Sequence, residues 1–135
     1  MAWVMRELTD TEKDAFLKDN FWGILCFAGY EPYAIPIGFQ IIEGEIFLRF
    51  APRGRKMEYV YNNRNVCLNI CQPSALTSNR HESMPFKSVI IEGELEEVKE
   101  TDRAKYGLAP LPEGYEVVSF RIRQKRVGTQ NLTWD

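Results

Sequence analysis

The segment from residue 33 to residue 50 constrains the fold most strongly, because its apolar residues recur with a period of two. Apolar and small or polar residues alternate from Tyr33 to Ile41, and the pattern resumes from Ile46 to Phe50 after Glu43 and Gly44. Such alternation places every second side chain on one face of a strand. A glycine-containing turn between two such runs is typical of a β-hairpin. This segment is therefore predicted to form two antiparallel strands with one buried face.

Further strands and a few short helices are predicted around this hairpin. Residues 9–12 fit a helix capping box, a second helix is expected from Gly54 to Asn62, and Thr101 to Leu108 is expected to add one or two helical turns. The other strands are predicted at 22–28, 66–71, 86–98 and 117–124, the first of them buried on both faces. Short turns between strands favour a mainly β protein, a six-stranded antiparallel barrel with two or three short helices in one domain over residues 1–135.

The charge balance argues against a protein that mainly coats nucleic acid or an anionic membrane. The 135 residues include 17 Lys and Arg against 19 Asp and Glu, which gives a net charge of −2. The apolar run from Trp22 to Ala28 is too short to span a bilayer. Residues 1–7 show no secretory signal pattern. We therefore expect a cytoplasmic protein without membrane partners.

The cysteines predict free thiols and no metal site. Cys26, Cys67 and Cys71 are odd in number, and each lies in an apolar stretch, where free cysteine is commonly a core residue. His81 is the only histidine in the sequence and falls in the loop predicted at 72–85, where a solvent-facing position is the favoured interpretation. No second Cys or His cluster is present to complete a zinc site.

The segment from Arg49 to Lys56 carries four cations and no acid. Arg55 and Lys56 would lie in the first turn of the helix that begins near Gly54, where cations oppose the helix dipole. A bound phosphate would remove this conflict by accepting bonds from the helix amides and from both side chains. A solvated basic loop would show the same sequence, so the segment by itself leaves both interpretations open.

The strand before this segment favours the phosphate interpretation. Pro36 and Gly38 lie inside this alternating strand, and these residues mark pairing defects or the close approach of a ligand to a strand. The hairpin turn at Gly44 brings Arg49 and Phe50 beside the strand. One phosphorylated aromatic ligand would satisfy both features, whereas a plain edge strand is the alternative.

Several motifs in order also resemble one known family. They are Leu8-Thr9 with Glu12, the run from Pro32 to Ile37, the run from Ile46 to Ala51, Gly54-Arg55-Lys56, Asn65-Val66-Cys67, and the run from Ser88 to Gly93. Together they resemble the pyridoxamine 5′-phosphate oxidase-like group of FMN-binding split barrels, especially its small nitroimidazole-resistance-type members. The resemblance covers residues 6 to 98.

The resemblance implies a set of cofactor-binding residues. Arg55 and Lys56 match the pair that grips the FMN phosphate, and Ser88 matches a polar contact to the flavin. The strand that lines the flavin ring corresponds to Ile35, Pro36, Ile37, Gly38 and Phe39. The positions around the ribityl chain and phosphate correspond to Arg49, Phe50 and Ala51.

The resemblance also implies a homodimer with a flavin site at each side of the subunit interface. Trp134, Trp22 and Tyr33 are then candidates for partner or ring contacts, with core packing the favoured alternative for Trp22. Residues 123–130 do not reproduce the arginine-rich motif that binds substrate phosphate in true pyridoxamine phosphate oxidases, so vitamin B6 oxidation is not expected. No catalytic side chain is assigned.

The expected function is an FMN-dependent oxidoreductase that passes electrons from a reduced nicotinamide or similar donor to a small acceptor. Flavin would carry the chemistry, and the protein would anchor and tune it. The first alternative is a flavin-binding or electron-transfer module without turnover. The second is a nucleic-acid-binding barrel, in which the basic loop at 49–56 and the cations Arg121, Arg123, Lys125 and Arg126 form a track and Tyr59 or Phe50 stacks on bases. A deazaflavin or haem in place of FMN also remains open.

Overall fold

The computed structural model describes residues 2–73 and 85–134, which form one continuous antiparallel sheet with a few short helices. The helices are α1 (Asp10–Lys18) and α2 (Arg55–Asn62), and two 3-10 turns follow at Glu100–Asp102 and Ala104–Tyr106. The strands are β1 (Trp3–Arg6), β2 (Trp22–Phe27), β3 (Tyr33–Gly38), β4 (Gln40–Ile42), β5 (Glu45–Phe50), β6 (Asn65–Pro73), β7 (Phe86–Val98) and β8 (Val118–Trp134). No helix in the described residues is long and apolar enough to cross a membrane.

The strand order closes the sheet into a split barrel. The order is β3-β2-β6-β7-β8-β5-β4, and β1 pairs with the far end of β8. The two ends of this order, β3 and β4, are consecutive in the chain and are separated only by Phe39, whose N–H donates to the Phe21 carbonyl at 2.9 Å. The two edges must therefore meet, so the sheet curls around its core. The mainly β barrel predicted from the alternation is confirmed.

The described residues contain eight strands, whereas the sequence pattern predicts six. The pattern does not indicate β1, because its four residues are mostly exposed and carry little periodic signal. The predicted strand over 33–41 is divided into β3 and β4, because the chain turns at Phe39 to pass from one edge of the sheet to the other. β8 also continues ten residues beyond the predicted end at residue 124, through polar residues that pair with β7 and β1.

The capping box predicted for the first helix is confirmed. Thr9 Oγ1 accepts from the Glu12 N–H at 3.1 Å, and a Glu12 carboxylate oxygen accepts from the Thr9 N–H at 3.0 Å. Arg6 also donates to both carboxylate oxygens of Glu12 at 2.9 and 3.0 Å. The Arg6 bond and, after it, the Thr9 backbone bond lower the pKa of Glu12 to about 2. The cap thus ties α1 to the end of β1.

The core lies between the inner face of the sheet and the two helices. Its largest fully buried side chains are apolar and come from five strands and α2: Leu25, Ile46, Leu48, Phe50, Val60, Leu68, Ile70, Val89, Ile91, Phe120 and Ile122. A smaller cluster of Phe47, Val98 and Leu108 lies on the other face, beneath the segment at 99–117 that joins β7 to β8 and contains the 3-10 turns. This second cluster attaches that segment to the outside of the barrel.

The register between β7 and β8 contains a bulge where Glu92 is followed by Gly93. A Cβ atom at Gly93 would lie 2.3 Å from the Arg123 carbonyl oxygen and 2.9 Å from Ile122 Cγ2. Only glycine permits this approach of the two backbones. The strand bends here, so the position is required for barrel curvature.

We predict that Gly93→Ala destabilises the protein by roughly 1–3 kcal/mol, because the added methyl group overlaps backbone that cannot move away. Gly128→Ala is the matched control, since nothing lies within 4 Å of a Cβ at Gly128. Urea unfolding followed by circular dichroism measures both. Equal stability of the two variants would contradict the close approach at Gly93.

The Glu12 cap predicts a pH-dependent contribution to stability. Because the folded pKa of about 2 lies below the ordinary 4.5, the stabilisation is complete above pH 4.5 and is lost as pH falls toward 2. The difference in unfolding free energy between wild type and Glu12→Gln should therefore shrink over this interval. A difference that stays constant from neutral pH to pH 2 would show that the carboxylate charge contributes nothing.

Candidate functional site

A cavity of about 540 Å³ lies on the outer face of the barrel beside β5. One wall is the chain crossing from β3 to β4, at residues 37–40, and a second is formed by residues 47–49 of β5 and by Ala51, which follows β5. The segment with the 3-10 turns covers the cavity and contributes Arg103, Leu108 and Tyr115. The remaining lining residues are Phe21, Val117 and Ser119.

The N-terminus of α2 lies a few residues after Ala51, which lines this cavity, and no side chain caps it. Its N-cap is Gly54, at φ +95°, which makes no side-chain capping bond. A Cβ atom added at Gly54 would have no other atom within 4 Å. The backbone N–H groups of Arg55 and Lys56 have no acceptor among the described residues. Free amides at a helix start are an anion-binding arrangement.

The Arg55 side chain is already engaged near this helix start. Its guanidinium donates to the Glu31 carboxylate and to the Tyr59 hydroxyl, both at 3.3 Å. It also lies 4.5 Å from the centre of the Tyr33 ring, within cation–π range. The bond with Tyr59 raises the pKa of Arg55 above its ordinary value.

Lys56 is the freer cation of the pair. It is half-buried, and no carboxylate lies within ion-pair distance of its Nζ in the described parts of the chain. A phosphate at the α2 N-terminus would therefore meet Lys56 directly, whereas Arg55 would exchange or share its contact with Glu31.

The structure brings together five of the residues predicted for the cofactor. Ile37, Gly38, Phe39, Arg49 and Ala51 line the cavity. The neighbouring Ile35 and Pro36 lie on β3, the first strand in the sheet order, and Arg55 and Lys56 open α2 a few residues beyond Ala51.

Two predicted residues lie elsewhere. Phe50 is only 2% exposed and packs in the core against Phe27 and Phe120. Ser88 is buried on β7, opposite Cys71 and Gln130, and does not line the cavity.

The sequence pattern does not select Arg103. This residue lies in the segment with the 3-10 turns, is only 6% exposed, and contributes to the cavity wall. A single arginine in a short segment without clear hydrophobic periodicity gives no indication in the sequence that its side chain is buried. Only the packing of this segment on the barrel reveals it.

A family model for pyridoxamine 5′-phosphate oxidase matches residues 9–129 of the sequence. The chain therefore belongs to the pyridoxamine 5′-phosphate oxidase family. Among curated proteins, none matches the sequence.

Solved structures share the fold of this family member. An FAD-binding protein from Mesorhizobium loti superposes with a TM-score of 0.71 at 19% identity, over 98% of this chain and 100% of the other. A candidate 5-nitroimidazole antibiotic resistance protein from Bacteroides thetaiotaomicron gives 0.76 at 15% identity, over 98% and 90%. An FAD and haem binding protein from Mycobacterium smegmatis gives 0.73 at 13%, over 97% and 74%. At these identities the similarity shows the fold.

The cations on β8 of this pyridoxamine 5′-phosphate oxidase family member are paired with acids. Glu92 pairs with Arg126, Glu94 with both Arg123 and Lys125, and Arg121 with both Glu96 and Glu45. The bonds from Lys125 and Arg123 lower the pKa of Glu94. These pairs neutralise the β8 part of the basic track in the nucleic-acid alternative, whereas Arg49 and Lys56 in the 49–56 part have no ion pair among the described residues.

Several thiol and aromatic positions differ from expectation. Cys71 is exposed, and Cys26 and Cys67 are half-buried, because all three point to the outer face of the sheet rather than into the core. Burial raises the pKa of the Cys67 thiol. Trp22, for which core packing is the favoured expectation, is 53% exposed at the start of β2.

The described residues contain no group of three or more His, Cys, Asp or Glu side chains that could hold a metal ion. His81 lies outside the described residues, and Trp134 ends β8.

Proposed function

We propose that this protein binds FMN and uses it as an oxidoreductase cofactor. The open N-terminus of α2 carries the proposal, because it combines two free amides, an uncapped glycine and Lys56 without a carboxylate partner among the described residues. A phosphomonoester fits this group of donors. Family membership supports a flavin as the molecule that bears the phosphate.

The β3 strand is suited to a flat ring. It is the first strand in the sheet order and pairs with β2, so its other edge is not part of the ladder. Ala34, Pro36 and Gly38 are exposed and small or lack a backbone donor, which leaves the chain accessible. We place the flavin ring along Ile35 to Phe39, with the ribityl chain beside Arg49 and Ala51.

When bound, FMN would supply hydride or electron transfer, with a reduced nicotinamide or similar donor and a small acceptor. The described residues of the cavity include no acidic, histidine or cysteine side chain that could serve as a base or nucleophile. The contribution of the chain is therefore to anchor the phosphate and orient the ring. A flavin-binding protein without turnover needs the same anchor and is the alternative.

The outer face of β2, β6 and β7 supports a homodimer with flavin sites at its interface. Ile24, Asn69 and Ile90 form one row across the three strands, and both isoleucines lie on a face that the core does not use. Asn69 Oδ1 is buried without a hydrogen-bond partner in the described structure. A second copy on this face would cover the apolar row and could satisfy Asn69.

The first test is an absorbance spectrum of the purified protein before and after addition of FMN and desalting. Retained flavin bands support the proposed site, and bleaching by NADH or NADPH would support turnover. Lys56→Ala should weaken FMN binding by roughly 1.5–3 kcal/mol, the range for hydrogen bonds to charged groups. Flavin fluorescence quenching measures the affinity.

Lys18→Ala is the control, because Lys18 lies in the last turn of α1 and its substitution removes the same charge away from the site. Wild-type affinity in Lys56→Ala would overturn the phosphate position. A protein that releases all added FMN would overturn the flavin assignment itself.

For the dimer, we expect Ile24→Arg to yield a monomer, because a charge at the centre of an interface is costly to bury. Tyr61→Arg is the control, since Tyr61 is a 70% exposed aromatic residue on α2. Light scattering after size exclusion measures both masses. A wild-type protein that is monomeric with bound FMN would contradict the proposed interface.

A further inference from the structure

Arg103 is a buried cation without an anionic partner among the described residues. Its Nε donates to the Ala109 carbonyl and its Nη1 to Ser119 Oγ, both at 2.8 Å. Nη2 has no acceptor, and no carboxylate lies within ion-pair distance of the guanidinium, among the residues that the structure describes. A buried charge held only by neutral acceptors is costly unless an anion accompanies it.

Arg121 provides a comparison within the same sheet. Its side chain is 20% exposed, and it pairs with both Glu45 and Glu96 at 3.3 and 3.0 Å. Arg103 is more buried, yet no carboxylate pairs with it in the described part of the chain. The protein thus neutralises the more accessible guanidinium and leaves the more buried one with a free donor edge at the cavity.

A second unpaired arginine faces the same cavity. Arg49 lies opposite Ser119 in the β5–β8 ladder, and opposed residues on an antiparallel pair project from the same face. Ser119 therefore stands between Arg49 and Arg103, as the neighbour of one and the acceptor of the other. Within the described residues, Arg49 has no carboxylate partner and its guanidinium lies 5.9 Å from the Tyr115 ring centre.

The walls around these two cations combine polar and apolar side chains and include four aromatic residues. Phe21, Phe39, Phe47 and Tyr115 contribute to the lining, and no Asp or Glu does so among the described residues. The cavity volume of about 540 Å³ exceeds the needs of a single ion. Two cations beside aromatic surfaces suit a ligand that is flat and apolar with one anionic end.

We propose that the Arg103 end of this cavity binds a small aromatic carboxylate, with the carboxylate on Arg103 and the ring among the aromatic side chains, next to the ribityl chain that we place beside Arg49 and Ala51. The interpretation of this cavity as the substrate pocket of a flavoprotein rests on the proposed function. In that function the flavin phosphate binds at the α2 N-terminus, so the Arg103 donors remain available for a second anion. Binding of the carboxylate as such does not depend on flavin.

The test uses benzoate as the probe and benzamide as its neutral isostere, on the FMN-treated wild-type protein. Titration calorimetry should show benzoate binding and at least tenfold weaker benzamide binding. In Arg103→Gln the benzoate Kd should rise at least tenfold, while Arg121→Gln, the matched control, should retain wild-type benzoate affinity. Flavin affinity is measured separately in each variant by fluorescence quenching.

A measurement on the wild-type protein keeps the test decisive if Arg103→Gln does not fold. Benzoate, and not benzamide, should shift the Arg103 Nε–Hε resonance in a ¹⁵N-correlated NMR spectrum. Equal binding of the two probes, an unshifted Arg103 resonance, or an Arg103→Gln variant that loses FMN but keeps benzoate would overturn the proposal. Benzoate binding with Arg103 dependence in a protein that holds no flavin would support the anion pocket and contradict only the flavoprotein assignment.

Discussion

The pairing of β7 with β8 is the constraint on which the rest of the barrel depends. The two strands are in register from Phe86 opposite Leu132 to Val98 opposite Ser119, with one bulge at Gly93. The other edge of β8 then receives β5 at one end and β1 at the other. One long strand therefore sets the relative positions of three others. The bulge bends β7 and increases its local twist, in the sense that closure of the sheet requires.

The register between β7 and β8 also determines which charged side chains form ion pairs. Glutamates on β7 and cations on β8 alternate with core residues, so the register sets them opposite each other on the outer face. Exposed pairs of this kind contribute little stability individually. They change the electrostatic potential of the surface, because the glutamates neutralise the positive charges of β8. Lys56 at the α2 N-terminus and Arg49 and Arg103 at the cavity are among the cations that have no ion-pair partner within the described residues.

The two regions place different demands on a ligand. The α2 N-terminus offers backbone amides and an uncapped glycine, which suit a compact, strongly charged group such as phosphate. The cavity offers guanidinium groups beside aromatic side chains, which suit a planar anion. They are joined by the short segment from Arg49 to Gly54, so ligands in the two regions would lie close to each other. This arrangement suits a protein that brings a phosphorylated cofactor and a second small molecule together.

The amount that could be predicted from sequence differs between the fold and the site. The hairpin around Gly44, the capping box at Thr9 and the start of α2 after Gly54 are local features, and local periodicity and capping chemistry determine them. The strand β1 and the polar end of β8 could not be predicted, because their pairing with each other supplies hydrogen bonds that no local pattern indicates. The separation of β3 from β4 at Phe39 could not be predicted either. The alternation of apolar residues continues through Phe39, although the chain passes there from one edge of the sheet to the other.

The sequence by itself determined the mainly β architecture, the basic segment before α2 and the strand that contains Pro36 and Gly38, because each depends on residues close together in the chain. Only the tertiary structure decided that Phe50 lies in the core, that Trp22 and Cys71 are exposed, and that Arg103 is buried at the cavity. The physical reason is that burial and charge pairing depend on which distant strands lie opposite each other. Ser119 illustrates this, since its position between Arg49 and Arg103 follows from the pairing of β8 with β5 and from a loop that folds back across both strands.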